Sequence, residues 1–167
     1  MGLINNTVCL EKNFIQWKKM FEMEKKKLVK IFNKDVFKIE HVGSTSVEGL
    51  SAKPIVDIAI GVSKLSDIDK YIDVLDNLYK IKINNESQEI LLINENEKET
   101  FFLIHILPIN SKRYKNMIKF RNILIGNPKI LKEYEILKIK LSKQYSKDRK
   151  MYTAAKNNYI QKILDEH

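Results

Sequence analysis

One cysteine, Cys9, stands in 167 residues, which excludes an internal disulfide framework and any cysteine-rich zinc site. No apolar run approaches the length needed to span a bilayer. The opening "MGLINNTVCLEKN" has neither a basic leader nor an apolar core of signal-peptide length, so a cytoplasmic location without membrane attachment is expected. Glycine (5) and proline (3) are sparse, and neither repeats nor low-complexity segments occur, as expected of one compact unit with a real core. Arginine is also scarce. Arg113, Arg121 and Arg149 are the only three among 30 basic residues, although the net charge is +9. An anionic partner fits that charge, but a nucleic-acid surface usually combines clustered Arg and Lys with stacking aromatics, and lysine-rich composition alone supplies most of the excess here.

What is present is patterned. Phe14, Trp17, Phe21, Leu28 and Phe32 recur at helical spacing between Lys12 and Phe32, with Trp17 expected in the core. "VFKIEHV" (Val36 to Val42) alternates, and "PIVDIAIGV" (Pro54 to Val62) is apolar almost throughout, so the second reads as a buried central strand. Ser66 is the expected N-cap of a helix with Leu65, Ile68, Ile72, Leu75 and Leu78 on one face. "IKINN", "QEILLINENE" and "TFFLIHILPI" predict three strands that extend the sheet antiparallel. Helices follow, divided by "GNP" (Gly126 to Pro128), which joins a stop, a cap and a first-turn proline. The later stripes hold Ile130, Tyr134, Leu137, Leu141 and Tyr145, then Tyr152, Ala155, Tyr159, Ile163 and Leu164. The fold class is α+β: an α/β core over residues 1–110 with its N-terminal helix, and a C-terminal helical segment over 111–167 packed on it.

The chemistry concentrates in "HVGSTSVEGLSAKPIVDIAI". Gly43 lets backbone approach a ligand, and Ser44 and Thr45 supply donors for phosphate oxygens. Lys53 and Asp57 add a cation and a hard carboxylate, a mixture suited to a phosphate with its divalent ion. On composition alone an ordinary polar turn is the favoured account of the glycines and hydroxyls, and the spacing matches neither a Walker A loop nor G-x-G-x-x-G. Asp57 is harder to dismiss, because a carboxylate inside an apolar strand needs a partner.

The same stretch resembles the signature of the GrpB (UPF0157) family, and the resemblance continues through "FFLIHI" with His105, "KFRNILIGNP" with Arg121, "YEILK" with Lys138 and "YTAAKNNYI" with Tyr152 and Lys156. The resemblance implies a branch of the nucleotidyltransferase superfamily, with a polymerase-β-like mixed sheet, flanking helices and a C-terminal helical bundle. Gly43 and Ser44 would hold a nucleotide triphosphate, and Asp57 would be the first metal carboxylate. The position of the second acid is Ala59, and that of the third is taken by His105. The implied cofactor is therefore a single, weakly held Mg or Mn on Asp57 and His105, joined at most by Glu40 or Glu48. Glu48 stands where the family pattern has Pro, and Asn122 where it has Asp.

Arg121, Lys138 and Lys156 border apolar helical stripes, so they form a basic cluster for a ligand's phosphate or carboxylate, or pair with Asp57 and Glu48, or snorkel to water. His41 and His105 fall on strands, where a histidine is more often a satisfied core or turn residue than a ligand; His105 gains weight as a ligand because its strand would neighbour that of Asp57. Three functions are compatible with this pattern. One is binding of a nucleotide or phosphorylated metabolite, with or without metal-dependent nucleotidyl transfer. The second is a catalytically degenerate module for an anionic small molecule, with a coenzyme A connection suggested by family fusions to dephospho-coenzyme A kinase. The third is RNA binding driven by net charge.

Overall fold

A computed structural model describes residues 2–4, 7–33 and 38–167. Its mixed sheet is built around β3 (Val56–Val62), the apolar strand, which pairs antiparallel with β2 (Lys38–Val42) and parallel with β6 (Glu99–Pro108). β6 pairs antiparallel with β5 (Glu89–Glu95), and β5 with β4 (Lys80–Asn84), which gives the order β2-β3-β6-β5-β4. The antiparallel extension expected from the three downstream strands is present. A two-residue strand, β1 (Leu3–Ile4), pairs with β6 beyond the end of β3 and was too short to leave a sequence signal. Val36 and Phe37, at the start of the first expected strand, lie outside the described residues.

Strand alternation separates two faces. Ile58, Ile60, Ile104, Ile106, Ile90 and Leu92 point to one side, where α1 (Phe14–Phe32) lays Trp17, Phe21, Leu28 and Phe32 against them. Glu24 sits on that apolar stripe too, and its burial is offset by the Tyr79 hydroxyl, which donates to it at 2.5 Å. The second cover of this face departs from expectation. Residues Leu65–Tyr71 form a 3-10 segment followed by a short α2 (Ile72–Asp76), and the N-cap position is Lys64, not Ser66. The Asp67 carboxylate accepts the Lys64 N–H at 3.1 Å and fixes that start, while the turn into β4 leaves Leu78 exposed.

Asp57, Ala59, Leu103, His105 and Glu89 face the other side, as the registers Asp57↔Leu103, Ala59↔His105 and Leu91↔His105 require. Three helices cover it: α3 (Lys112–Gly126), α4 (Pro128–Gln144) and α5 (Arg149–Glu166), which pack on one another. The "GNP" junction acts as expected, with α3 ending at Gly126, Pro128 opening α4 and the Asn127 side chain accepting the Ile130 N–H at 3.2 Å. Leu124, Ile130, Tyr134 and Ile163 close around Val47 and Leu50 from the loop between β2 and β3, so the helices are pinned to that loop as well as to the sheet. No helix among the described residues is long and apolar enough to cross a membrane.

Candidate functional site

Asp57 is partly exposed on β3, in a cavity of about 300 Å³ between the sheet and α5. Its carboxylate packs on the Gly43 backbone: a Cβ placed there would stand 2.6 Å from Asp57 Oδ2. Gly43 has φ 70° and ψ −172°, a conformation essentially restricted to glycine. The loop then makes one 3-10 turn, Ser44–Ser46. Its hydroxyls are largely engaged within the protein, since Ser46 donates to the Gly43 carbonyl at 2.6 Å and Thr45 Oγ1 lies 3.0 Å from His41 Nε2. His41 itself points to the far face of the sheet, stacked on Phe21 with ring centroids 4.8 Å apart. Burial, with a smaller push from Arg121, lowers its pKa to about 4, so the ring is neutral.

On β6, the strand next to that of Asp57, buried His105 stands between two carboxylates. Its Nδ1 lies 2.5 Å from Glu89 Oε1 and its Nε2 3.7 Å from Asp57 Oδ1. Burial opposes charge on the ring, but the two carboxylates outweigh it and raise the pKa. Glu89 is held ionised in turn: burial would raise its pKa, and His105 with Arg113, whose Nη2 is 3.1 Å from Glu89 Oε2, brings it below the ordinary value. Among the described residues no group of three or more His, Cys, Asp or Glu side chains is placed to hold a metal ion. Ala59, at the position of a second acid, is fully buried against Val42, Leu107 and Tyr114.

Opposite Asp57 the cavity wall is basic. Arg149, Tyr152, Thr153 and Lys156 recur three, four and seven apart, so one face of α5 turns toward the cavity, and Lys53 enters from the loop before β3. Lys53 Nζ lies 5.2 Å and Lys156 Nζ 4.6 Å from the centre of the same Tyr152 ring. Among the described residues neither ammonium makes a hydrogen bond or has a carboxylate within 4.0 Å. Burial first, then Lys156 and Arg149, pulls Lys53 down to about 7; burial and Arg149 bring Lys156 down to about 8 against the attraction of Asp57.

Of the residues singled out in the sequence, Ser44, Thr45, Lys53, Asp57, His105, Tyr152 and Lys156 line this cavity. Gly43 backs Asp57 from behind. Arg121 does not reach the cavity: its Nη1 is 2.8 Å from Glu40 Oε2 and donates to the His41 carbonyl at 2.9 Å. Lys138 is 1% exposed and donates to the Ser51 carbonyl, away from the lining. Glu48 is exposed. Arg149 and Thr153 were missed, although their spacing to Tyr152 and Lys156 marks one helix face, and Glu89 was missed because it sits where a polar turn passes into β5.

A family model, described as GrpB protein, matches residues 7–166. The chain belongs to the GrpB family. It is similar to the Glutamate-rich protein GrpB of Alkalihalophilus pseudofirmus, with 30% identity over 99% of both chains. It is also similar to the UPF0157 protein YqkA of Bacillus subtilis, with 27% identity over 87% of this chain and 43% of that protein. The crystal structure of the conserved protein GrpB from Enterococcus faecalis superposes with a TM-score of 0.87 at 27% identity, covering 95% of this chain and 96% of that one. The mixed sheet with its helical cover is therefore the architecture this GrpB-family chain shares with a solved relative.

Proposed function

We propose that this GrpB-family chain binds a nucleotide or a related phosphorylated small molecule in the cavity between β3 and α5. The observation that carries the reading is the pair Lys53 and Lys156: two half-buried cations in one cavity, beside Arg149, without an ion pair or hydrogen bond among the described residues. Removing such groups from water without a counter-charge is costly, and an anionic ligand is the natural compensation. The cavity lies near the lower end of the ~300–1,000 Å³ range of small-molecule sites.

The placement of Asp57 on the strand after the Gly43–Ser44 loop, with His105 on the adjoining strand, supports descent from the polymerase-β-like nucleotidyltransferases. Nucleotidyl transfer has weaker support. A two-ion centre needs bridging carboxylates, and Ala59 supplies none. Asp57 and His105 Nε2 offer two donors for a single Mg or Mn, but the adjacent ammonium and guanidinium groups repel a cation there, so the residues present fit a resident ion poorly.

Isothermal titration with ATP, AMP and coenzyme A, each with and without Mg²⁺, tests the reading. Heat of binding that is lost in Lys53→Met is expected. Silence from all three ligands at millimolar concentration removes it.

A further inference from the structure

The charges around the cavity can be balanced group by group. Asp57 and Glu89 are met by His105 and Arg113, through the contacts at 3.7, 2.5 and 3.1 Å. Among the described residues Lys53, Arg149 and Lys156 have no carboxylate within 4.0 Å; Asp57 attracts all three from farther off, Glu95 attracts Arg149 as well, and Arg149 Nη1 donates to the Thr100 hydroxyl at 3.4 Å. A phosphodiester, with its single charge, compensates these three basic groups less than a dianion does. A phosphomonoester near neutral pH carries close to two charges and three terminal oxygens, which suit a guanidinium fork and two ammonium groups. A triphosphate ordinarily brings a divalent ion, and here the carboxylate that would take that ion is turned toward His105.

We propose that Lys53, Arg149 and Lys156 form a metal-independent receptor for the terminal dianionic phosphate of a phosphomonoester. This rests on the phosphate-binding reading above and narrows it to one class of ligand and one mode of charge compensation. Arg149 on the first turn of α5 and Lys156 two turns later set the width of the site, and Lys53 closes it from the loop. Tyr152 supplies the floor, with both ammonium groups beside its ring. Burial and repulsion from neighbouring cations lower the pKa of both lysines, and a bound anion would favour their charged forms: Lys53 faces Lys156, Arg149 and Asp57, and Lys156 faces Asp57 and Arg149.

AMP and cyclic AMP share base and ribose and differ in monoester against diester, so they isolate the proposal. Binding of both, and of ATP, is measured by calorimetry in EDTA and again in excess Mg²⁺, on the wild-type chain and on Lys156→Met and Arg149→Met. AMP is expected to bind in EDTA at least tenfold more tightly than cyclic AMP, with no gain from Mg²⁺ and at least a tenfold loss in either variant. Circular dichroism of the variants verifies that they are folded. If none of the three compounds binds, the phosphate reading and this inference fall together. Binding only in the presence of Mg²⁺, equal affinity for AMP and cyclic AMP, or affinity unchanged in the folded variants leaves a nucleotide site standing and overturns the metal-independent receptor.

Discussion

Gly43 and Asp57 occupy each other's space: a methyl group on Gly43 would meet the Asp57 carboxylate at 2.6 Å. The loop glycine thus serves to seat the aspartate, whatever its amides also do for a ligand. Two penalties follow for Gly43→Ala, the positive φ of 70° and the overlap. A loss of about 2–4 kcal/mol is expected in urea denaturation, since strained backbone of this kind costs ~1–3 kcal/mol before any clash. Combining it with Asp57→Ala should recover only part of the loss, because the backbone conformation is unchanged.

The pH dependence of stability reports the strained cations. Lys53 has a folded pKa of about 7 against an ordinary value of 10.5, so between these limits the unfolded chain binds more protons than the folded one. Stability from this group therefore rises with pH across that window, and below it the full penalty for a charged, half-buried amine applies. Lys53→Met is expected to be more stable than the wild type at pH 6, by about 1 kcal/mol after allowance for water around the amine. The difference should shrink toward pH 10, as read from urea midpoints across the range.

α4 clamps the loop that carries Lys53. Glu135 Oε2 accepts the Ser51 N–H at 2.9 Å, Glu135 Oε1 accepts the Ser51 hydroxyl at 2.5 Å, and Lys138 donates to the Ser51 carbonyl. One turn of helix thereby satisfies all the polar groups of Ser51. Glu135→Ala removes two charged hydrogen bonds and leaves Lys138 without its neighbouring carboxylate, which should cost about 3 kcal/mol of stability. Chemical denaturation checks the magnitude, and Lys138→Met should be milder because it introduces no buried charge.

Arg121 separates fold from function. Its contacts with Glu40 and the His41 carbonyl tie α3 to β2 outside the cavity. Arg121→Ala is expected to lower stability by about 1–2 kcal/mol while changing AMP affinity by less than twofold. A large affinity loss in the folded variant would bring Arg121 back into the binding site.

The sequence and structure agree where a signal is local. The apolar run around Asp57, the Asn127–Pro128 junction and the stripes of α1 and α4 follow from spacing and capping chemistry, and each appears as expected. What could not be read depends on distant partners. Helical spacing set Lys138 beside an apolar stripe, but the partner that lets it be 1% exposed could not be read, because its acceptor is Ser51, 87 residues earlier. His105 was visible as a neighbour of Asp57, but its second carboxylate, Glu89, enters through the register of β5 on β6. The Leu65–Asp76 segment had the periodicity of a helix, but the structure winds Leu65–Tyr71 as 3-10 and only Ile72–Asp76 as α, with its start at Lys64, whose N–H the Asp67 carboxylate accepts. Arg149 was legible in principle, since a reading of the full α5 face from Arg149 to Lys156 includes it.

The central claim is that Lys53, Arg149 and Lys156 hold a phosphate, and its most direct test is a crystal structure of the chain soaked with AMP in EDTA. Density for the phosphate within hydrogen-bonding distance of those three side chains and beside the Tyr152 ring is the result this account predicts. A phosphate seated instead on the Gly43–Ser44 loop with its charge turned away from Lys53 and Lys156, or a cavity that stays free of AMP at saturating concentration, would contradict it.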